Sequence, residues 1–117
     1  MKKRRNNLLD YIPQTHSAVT WSMSDDNRIT LHVNNKGFYN RIAQILFKRP
    51  KVSHIELDEY GSVVWNNITG QITVEELGKR LKIKFGEKVE PLYERLVKYL
   101  IILQNNRFII LRKKDRI

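Results

Sequence analysis

The segment from Ser53 to Phe85 constrains the fold more than any other part of this 117-residue chain. It begins with a short apolar run, continues with a helical pattern, turns at Gly70 and ends with an amphipathic pattern that starts at Thr73. Thr73 followed three residues later by Glu76 is a capping box, in which hydroxyl and carboxylate satisfy free amides at a helix start. The segment therefore predicts a strand, a helix, a turn and a second helix in direct succession.

Each of these two predicted helices carries boundary signals. Asp58 can cap the first by accepting hydrogen bonds from free amides, and Gly86 can close the second as a left-handed cap. Gly78 lies inside the second helix, where Gly costs about 1 kcal/mol relative to Ala, so we expect another backbone to pack closely there. The apolar stripes comprise Tyr60, Gly61, Val64, Trp65 and Ile68 in the first helix and Val74, Leu77, Leu81 and Phe85 in the second.

Three strands are predicted before these helices. The alternating runs 19–23 and 29–33 flank a short polar turn at 25–27, which is typical of a β-hairpin. Residues 52–57 predict a third strand, with Ile55 and Leu57 on one face. The segment 40–47 has apolar residues at helical spacing and predicts one or two helical turns.

A third helix and a last strand complete the pattern. Pro91 suits the first turn of a helix that runs to about Gln104, and the apolar run 108–111 predicts the final strand. The order of elements predicts an α+β fold, winged helix-turn-helix-like, with a small antiparallel β-sheet plus a three-helix bundle. We divide the chain into a basic N-terminal extension (1–18), one domain (19–111) and a basic C-terminal tail (112–117).

The net charge of +10 is unevenly distributed along the chain. Residues 58–111 contain eight Lys or Arg and seven Asp or Glu, a net of +1, so the excess lies in the two ends and around 48–51. Such ends are usually solvated, although an acidic partner would be attracted to them. The chain has no cysteine, which excludes disulfides and thiolate chemistry. Neither a signal peptide nor a run of about 18 apolar residues is evident, so we expect a cytoplasmic protein.

The third predicted helix has more apolar surface than one core stripe needs. Tyr99, Ile101 and Ile102 fall outside or at the margin of that stripe. Either another part of the chain covers them, or they line a groove. In the second case the other wall would be the strand 53–57, and an extended peptide could add to its free edge.

The amino-acid sequence of the central segment resembles that of a known family. Its strongest matches are Leu57-Asp58-Glu59-Tyr60-Gly61-Ser62 with Trp65, then Ile68-Thr69-Gly70-Gln71, then Thr73-Val74-Glu75-Glu76-Leu77 with Phe85. In this order they resemble the PqqD-like family, small winged-helix domains that bind the leader segment of a ribosomally made precursor peptide. The chain departs from the shorter members in its basic tails and in the insert 36–51, so pyrroloquinoline quinone is not inferred as the product.

The resemblance implies a non-catalytic peptide-binding adaptor without a cofactor. The leader would lie between the third strand and the third helix, beside a modifying enzyme that is often a radical S-adenosylmethionine protein. Carried onto this chain, the peptide-binding residues are His54, Ile55, Glu56, Leu57, Arg95, Lys98, Tyr99 and Ile102. Whether the insert 36–51 covers this groove, and whether the protein is a monomer or a dimer, are left open.

Two other functions compete with this interpretation. A winged-helix DNA-binding regulator would share the helix–turn–helix order and suit the net charge, but its candidate recognition helices begin with carboxylates, such as Glu75 and Glu76. An enzyme or metal site is not indicated, because His16, His32 and His54 are scattered singly in the sequence. Trp21 and Trp65 are interpreted as packing residues.

Overall fold

The computed structural model describes residues 8–34 and 52–113, and within these ranges it confirms the α+β class with small antiparallel sheets and three helices. The elements in chain order are β1 (Ile12–Thr15), β2 (Val19–Met23), β3 (Ile29–Asn34), β4 (Val52–Glu56), α1 (Glu59–Asn66), α2 (Val74–Phe85), a 3-10 turn (Gly86–Val89), α3 (Leu92–Asn105) and β5 (Ile109–Arg112). The predicted helical turns at 40–47 lie outside the described residues.

The chain divides into two compact units, and α1 crosses the boundary between them. The sheet unit comprises residues 17–62, and the helical unit comprises the chain up to His16 and from Val63 onward.

In the described part of the sheet unit, residues 17–34 and 52–62, three antiparallel strands form a sheet in the order β2-β3-β4. Leu31 in the central strand lies opposite Trp21 on one side and Ile55 on the other. The predicted hairpin and third strand are therefore confirmed. Trp21 differs from expectation, because 45% of its surface is exposed. β2 is an outer strand, which leaves this ring less covered than a central-strand residue. Among the residues of this unit whose burial is described, the buried apolar ones are Val19, Ile29, Leu31, Val33 and Leu57.

A buried hydroxyl joins the end of this sheet to α1. Leu57 N–H donates to the Ile29 carbonyl at 2.8 Å, as expected for opposed residues. The reciprocal bond, from Ile29 N–H to the Leu57 carbonyl, is replaced by a bridge through Ser62. Its Oγ accepts from Ile29 N–H at 2.9 Å and donates to the Leu57 carbonyl at 3.3 Å. Asp58 caps α1 as predicted, since its Oδ1 accepts from Gly61 N–H at 2.8 Å.

The capping box that begins α2 is confirmed: Thr73 accepts from Glu76 N–H, and the Glu76 carboxylate accepts from Thr73 N–H at 2.9 Å. Gly86 follows the helix with φ 65° and ψ −135°. The positive φ explains the glycine, but the ψ value is not that of the predicted left-handed cap.

The neighbour of Gly78 also differs from expectation. A Cβ built on this residue would lie 2.3 Å from Tyr93 Cε1. The space that a larger residue would need is therefore occupied by an aromatic side chain, and not by another backbone.

A second, two-stranded sheet pairs β1 with β5 in the helical unit. The sequence did not predict β1, which lies within the segment interpreted as an N-terminal extension. Its four residues include Pro13, which lies opposite Leu111. Nearby, Val74 N–H at the start of α2 donates to the Tyr11 carbonyl at 2.8 Å. The segment interpreted as an N-terminal extension therefore contributes to the fold from at least Tyr11 onward. The proposed domain boundaries stay a prediction.

Candidate functional site

β4 forms one side of the three-stranded sheet, and within the described residues it pairs only with β3. The hydrogen bond between opposed Leu57 and Ile29 fixes which residues point inward. Because the pairs alternate along an antiparallel ladder, the main-chain groups of Ser53 and Ile55 face β3. Those of Val52, His54 and Glu56 face the other way, where an added strand could bond to them.

The four predicted binding residues of this strand fall into two groups. His54 and Glu56 have exposed side chains, and Ile55 is half-buried. Leu57 lies just beyond the strand and is buried, with its N–H bonded to Ile29. Leu57 therefore belongs to the core of the sheet unit, with only 8% of its surface exposed.

In the helical unit, a groove of about 610 Å³ runs along α3. Residues of α3 spaced four apart in two adjacent rows line it, together with two apolar residues near the start of the chain. The lining residues are Leu8, Leu9, Tyr93, Glu94, Val97, Lys98, Ile101 and Ile102. Ile102 has 51% of its surface exposed, so the predicted surplus of apolar surface on this helix is present in the fold.

The groove includes two of the four predicted helix residues, Lys98 and Ile102. Arg95 and Tyr99 are not among its lining residues. Arg95 is exposed and donates from Nη1 to the Lys88 carbonyl at 2.9 Å, and Tyr99 is half-buried. Two of the four predicted helix residues therefore line the groove and two do not, and a peptide-binding role for any of them stays a prediction.

Tyr93 is a fixed wall of the groove that the sequence did not single out. Its hydroxyl donates to the Glu75 carbonyl at 2.9 Å, and its ring fills the space beside Gly78. Burial raises the pKa of the Tyr93 phenol, and the nearby Glu75 carboxylate adds to this effect. The Gly78 position was the available signal, because a glycine inside a well-capped helix indicates a close neighbour.

A histidine pair lies on the outward face of the sheet unit. His32 on β3 and His54 on β4 are directly opposite, and their Nδ1 atoms are 2.8 Å apart. Ser22 Oγ on β2 lies 2.9 Å from His32 Nε2. The three histidines are scattered singly in the sequence, but the strand register brings His32 and His54 together.

The basic residues of α2 are partly engaged within the protein. Arg80 Nη1 donates to Asn67 Oδ1 at 3.2 Å. Lys82 Nζ lies 2.9 Å from Glu87 Oε2 and 2.5 Å from Glu90 Oε2. These contacts reduce the positive surface that α2 could offer to a phosphate backbone. The basic segments 2–5 and 48–51 lie outside the described residues.

Comparison of the chain with protein-family models, with curated proteins and with solved structures finds no match in any of the three. No helix in the described part of the chain is long and apolar enough to cross a membrane.

Proposed function

We propose that this protein is a non-catalytic, cytoplasmic adaptor that captures the leader segment of a ribosomally made precursor peptide and presents it to a modifying enzyme. The observation that carries the proposal is the outer edge of β4, where the main chain of Val52, His54 and Glu56 points away from the sheet. An extended peptide would pair with these groups as a further strand, which is a recurring mode of peptide recognition. The partner enzyme would be of the radical S-adenosylmethionine type that the family resemblance implies.

The groove on α3 supports the same function from the helical unit. Its apolar residues could hold apolar side chains of a ligand, while Glu94 and Lys98 provide charged groups of both signs. Grooves of this size and lining are typical of binding sites. Ordering a disordered leader costs about 2–5 kcal/mol, so we expect affinities near the micromolar range.

The edge of β4 can be tested with one pair of variants. Peptides of about 12 residues, selected by display on the untagged protein, would be synthesised and titrated by fluorescence anisotropy. Glu56→Pro removes an outward N–H at a strand edge, where Pro is tolerated, and should weaken binding by at least about tenfold. Glu56→Ala keeps this N–H and should bind within about twofold of the parent.

Amide hydrogen exchange provides a second test that needs no variant. The amides of Val52, His54 and Glu56 should become protected when the peptide binds, whereas those of Ser53 and Ile55 should be protected already. If a bound peptide left the outward amides unprotected, strand addition at β4 would be refuted.

DNA binding is the second candidate, because α1, the turn at Gly70 and α2 follow the order of a helix-turn-helix and the net charge is +10. Titration of random-sequence duplex DNA of about 20 base pairs at physiological salt separates the two functions. Sequence-independent binding with a steep salt dependence, and no selected peptide, would favour the nucleic-acid function.

A further inference from the structure

We propose that His32 and His54 form a binding site for a divalent transition-metal ion, with a preference for Cu²⁺. The proposal is independent of peptide binding. The register of the sheet places the two residues directly opposite each other on adjacent strands.

The two residues form a non-hydrogen-bonded pair of the ladder. The bonded pair Ile29–Leu57 is three positions away, and bonded and non-bonded pairs alternate. Side chains are closest at non-bonded positions, where the Cα atoms are about 4.5 Å apart. The rings meet edge to face, with centroids 4.8 Å apart and planes at 83°. The backbone therefore holds both imidazoles together before any ligand arrives.

A lone pair is available at the contact. The Nδ1 atoms are 2.8 Å apart, and a hydrogen bond between two ring nitrogens needs one donor and one acceptor. At least one ring is therefore neutral with an unprotonated Nδ1. When a metal ion replaces this hydrogen bond, the shared proton moves to the second nitrogen of its own ring, so a neutral pair binds the ion with no net release of protons.

Ser22 orients one of the two ligands. Its Oγ lies 2.9 Å from His32 Nε2, so the hydroxyl can accept from Nε2–H and leave Nδ1 as the metal-binding atom. Metal-binding histidines usually donate their other N–H to such an outer partner, which fixes the tautomer and the ring orientation. His54 is exposed, which gives an ion direct access from solvent.

The spacing of the nitrogens selects among metals. Two nitrogens 2.8 Å apart, each about 2.0–2.1 Å from an ion, subtend an angle of roughly 90° at the metal. This is the angle between neighbouring ligands in the tetragonal geometry of Cu²⁺ and Ni²⁺. Tetrahedral Zn²⁺ would need the nitrogens to separate to about 3.3 Å. Intrinsic affinity also favours Cu²⁺ in the divalent series.

The site supplies two protein ligands. Within residues 8–34 and 52–113, no group of three or more His, Cys, Asp or Glu is placed to hold a metal ion. The remaining positions would be filled by water or by a small ligand, which limits the affinity and leaves the ion accessible for exchange.

The test is a titration of the untagged full-length protein with CuCl₂, monitored by calorimetry and by electron paramagnetic resonance. One equivalent of Cu²⁺ should bind, with a resonance spectrum typical of nitrogen ligands. Ser22→Ala should weaken binding by about tenfold, and His54→Thr and His32→Thr should each weaken it more than Ser22→Ala does. Zn²⁺ should bind at least about tenfold more weakly than Cu²⁺.

His16→Thr is the matched control, since it removes a histidine outside the pair and should leave the affinity unchanged. Equal binding by the parent, His32→Thr and His54→Thr would overturn the proposal, and so would a loss confined to His16→Thr. Circular dichroism of each variant separates a lost ligand from a lost fold. Because His54 is exposed on an outer strand, the His54→Thr variant should remain folded.

Discussion

Gly78 lies where any larger residue would overlap the Tyr93 ring. Ala at this position would gain about 1 kcal/mol of helix propensity, but its Cβ would force the ring out of place. Overpacking of this kind typically costs about 1–3 kcal/mol. We therefore expect Gly78→Ala to lower the free energy of unfolding by up to about 2 kcal/mol in urea denaturation.

The double variant Gly78→Ala with Tyr93→Leu separates the two contributions. The smaller side chain should relieve the overlap, so the loss caused by Ala should be much smaller in the Tyr93→Leu background. If Gly78→Ala stabilised the parent protein, the close approach of the ring would be refuted.

Ser62 completes the sheet by joining Ile29 N–H to the Leu57 carbonyl. Removing the hydroxyl leaves two buried main-chain groups without their partner, which costs about 1–3 kcal/mol. Thermal and urea unfolding should both show this loss for Ser62→Ala. Ser22→Ala removes a hydroxyl from the exposed face and should change stability by less than about 0.5 kcal/mol. Equal effects of the two variants would contradict the bridging role of Ser62.

At the scale of elements, Lys82 connects the end of α2 to the segment before α3 through Glu87 and Glu90. Hydrogen bonds to Glu90 and Glu87 raise the pKa of Lys82 above its ordinary 10.5. The hydrogen bond from Lys82 lowers the pKa of Glu90 below its ordinary 4.5. The lowered pKa of Glu90 stabilises the fold above pH 4.5, and this contribution is lost as the pH falls through the folded value.

The contribution of Lys82 has the opposite sign. It is present below pH 10.5 and is lost as the pH rises through the higher folded value. The Lys82→Met variant should therefore differ most from the parent between these limits, and the difference should shrink in acid below about pH 4.5. Lys84→Met on the same helix is the control. Because the groups are exposed, high salt should also reduce the difference. A difference that was constant with pH would exclude the ion pairs as its source.

The exposed apolar residue Ile102 allows a test of the α3 groove. Since half of its surface is already exposed, Ile102→Glu should leave the fold intact and abolish binding of a selected peptide. Ile83→Glu is a matched control, because Ile83 on α2 is 86% exposed and does not line the groove. Unfolding of the Ile102 variant would place this residue in the core. Equal loss of binding in both variants would argue against the groove.

Elements with local signals could be predicted from the sequence. The capping box of α2, the hairpin of β2 and β3, and the apolar surplus of α3 all depend on residues a few positions apart. β1 was missed because it has only four residues, contains Pro13, and pairs with a strand close to the other end of the chain. The His32–His54 pair was missed for a similar reason, since its existence depends on the register between two strands.

At the scale of the whole molecule, the net charge of +10 should affect the rate of peptide capture more than its selectivity. The basic ends would speed the approach of an acidic leader, and this effect weakens at high salt. A variant with Arg4→Ala and Arg5→Ala should associate more slowly at low salt and rank a panel of peptides as the parent does. Stopped-flow measurements at about 0.05 and 0.5 M salt would show this. A changed ranking would indicate a direct contact from the N-terminal segment.

The outward main-chain groups of β4 recur at every second residue, at Val52, His54 and Glu56. Two residues of an extended strand span about 7 Å, and a slide by one residue turns every side chain to the opposite face. A captured leader could therefore shift only in steps of about 7 Å. The edge of β4 would therefore set the position of a bound leader in steps of two residues. The number of residues between the docked segment of the leader and the residue to be modified would then change only by even numbers.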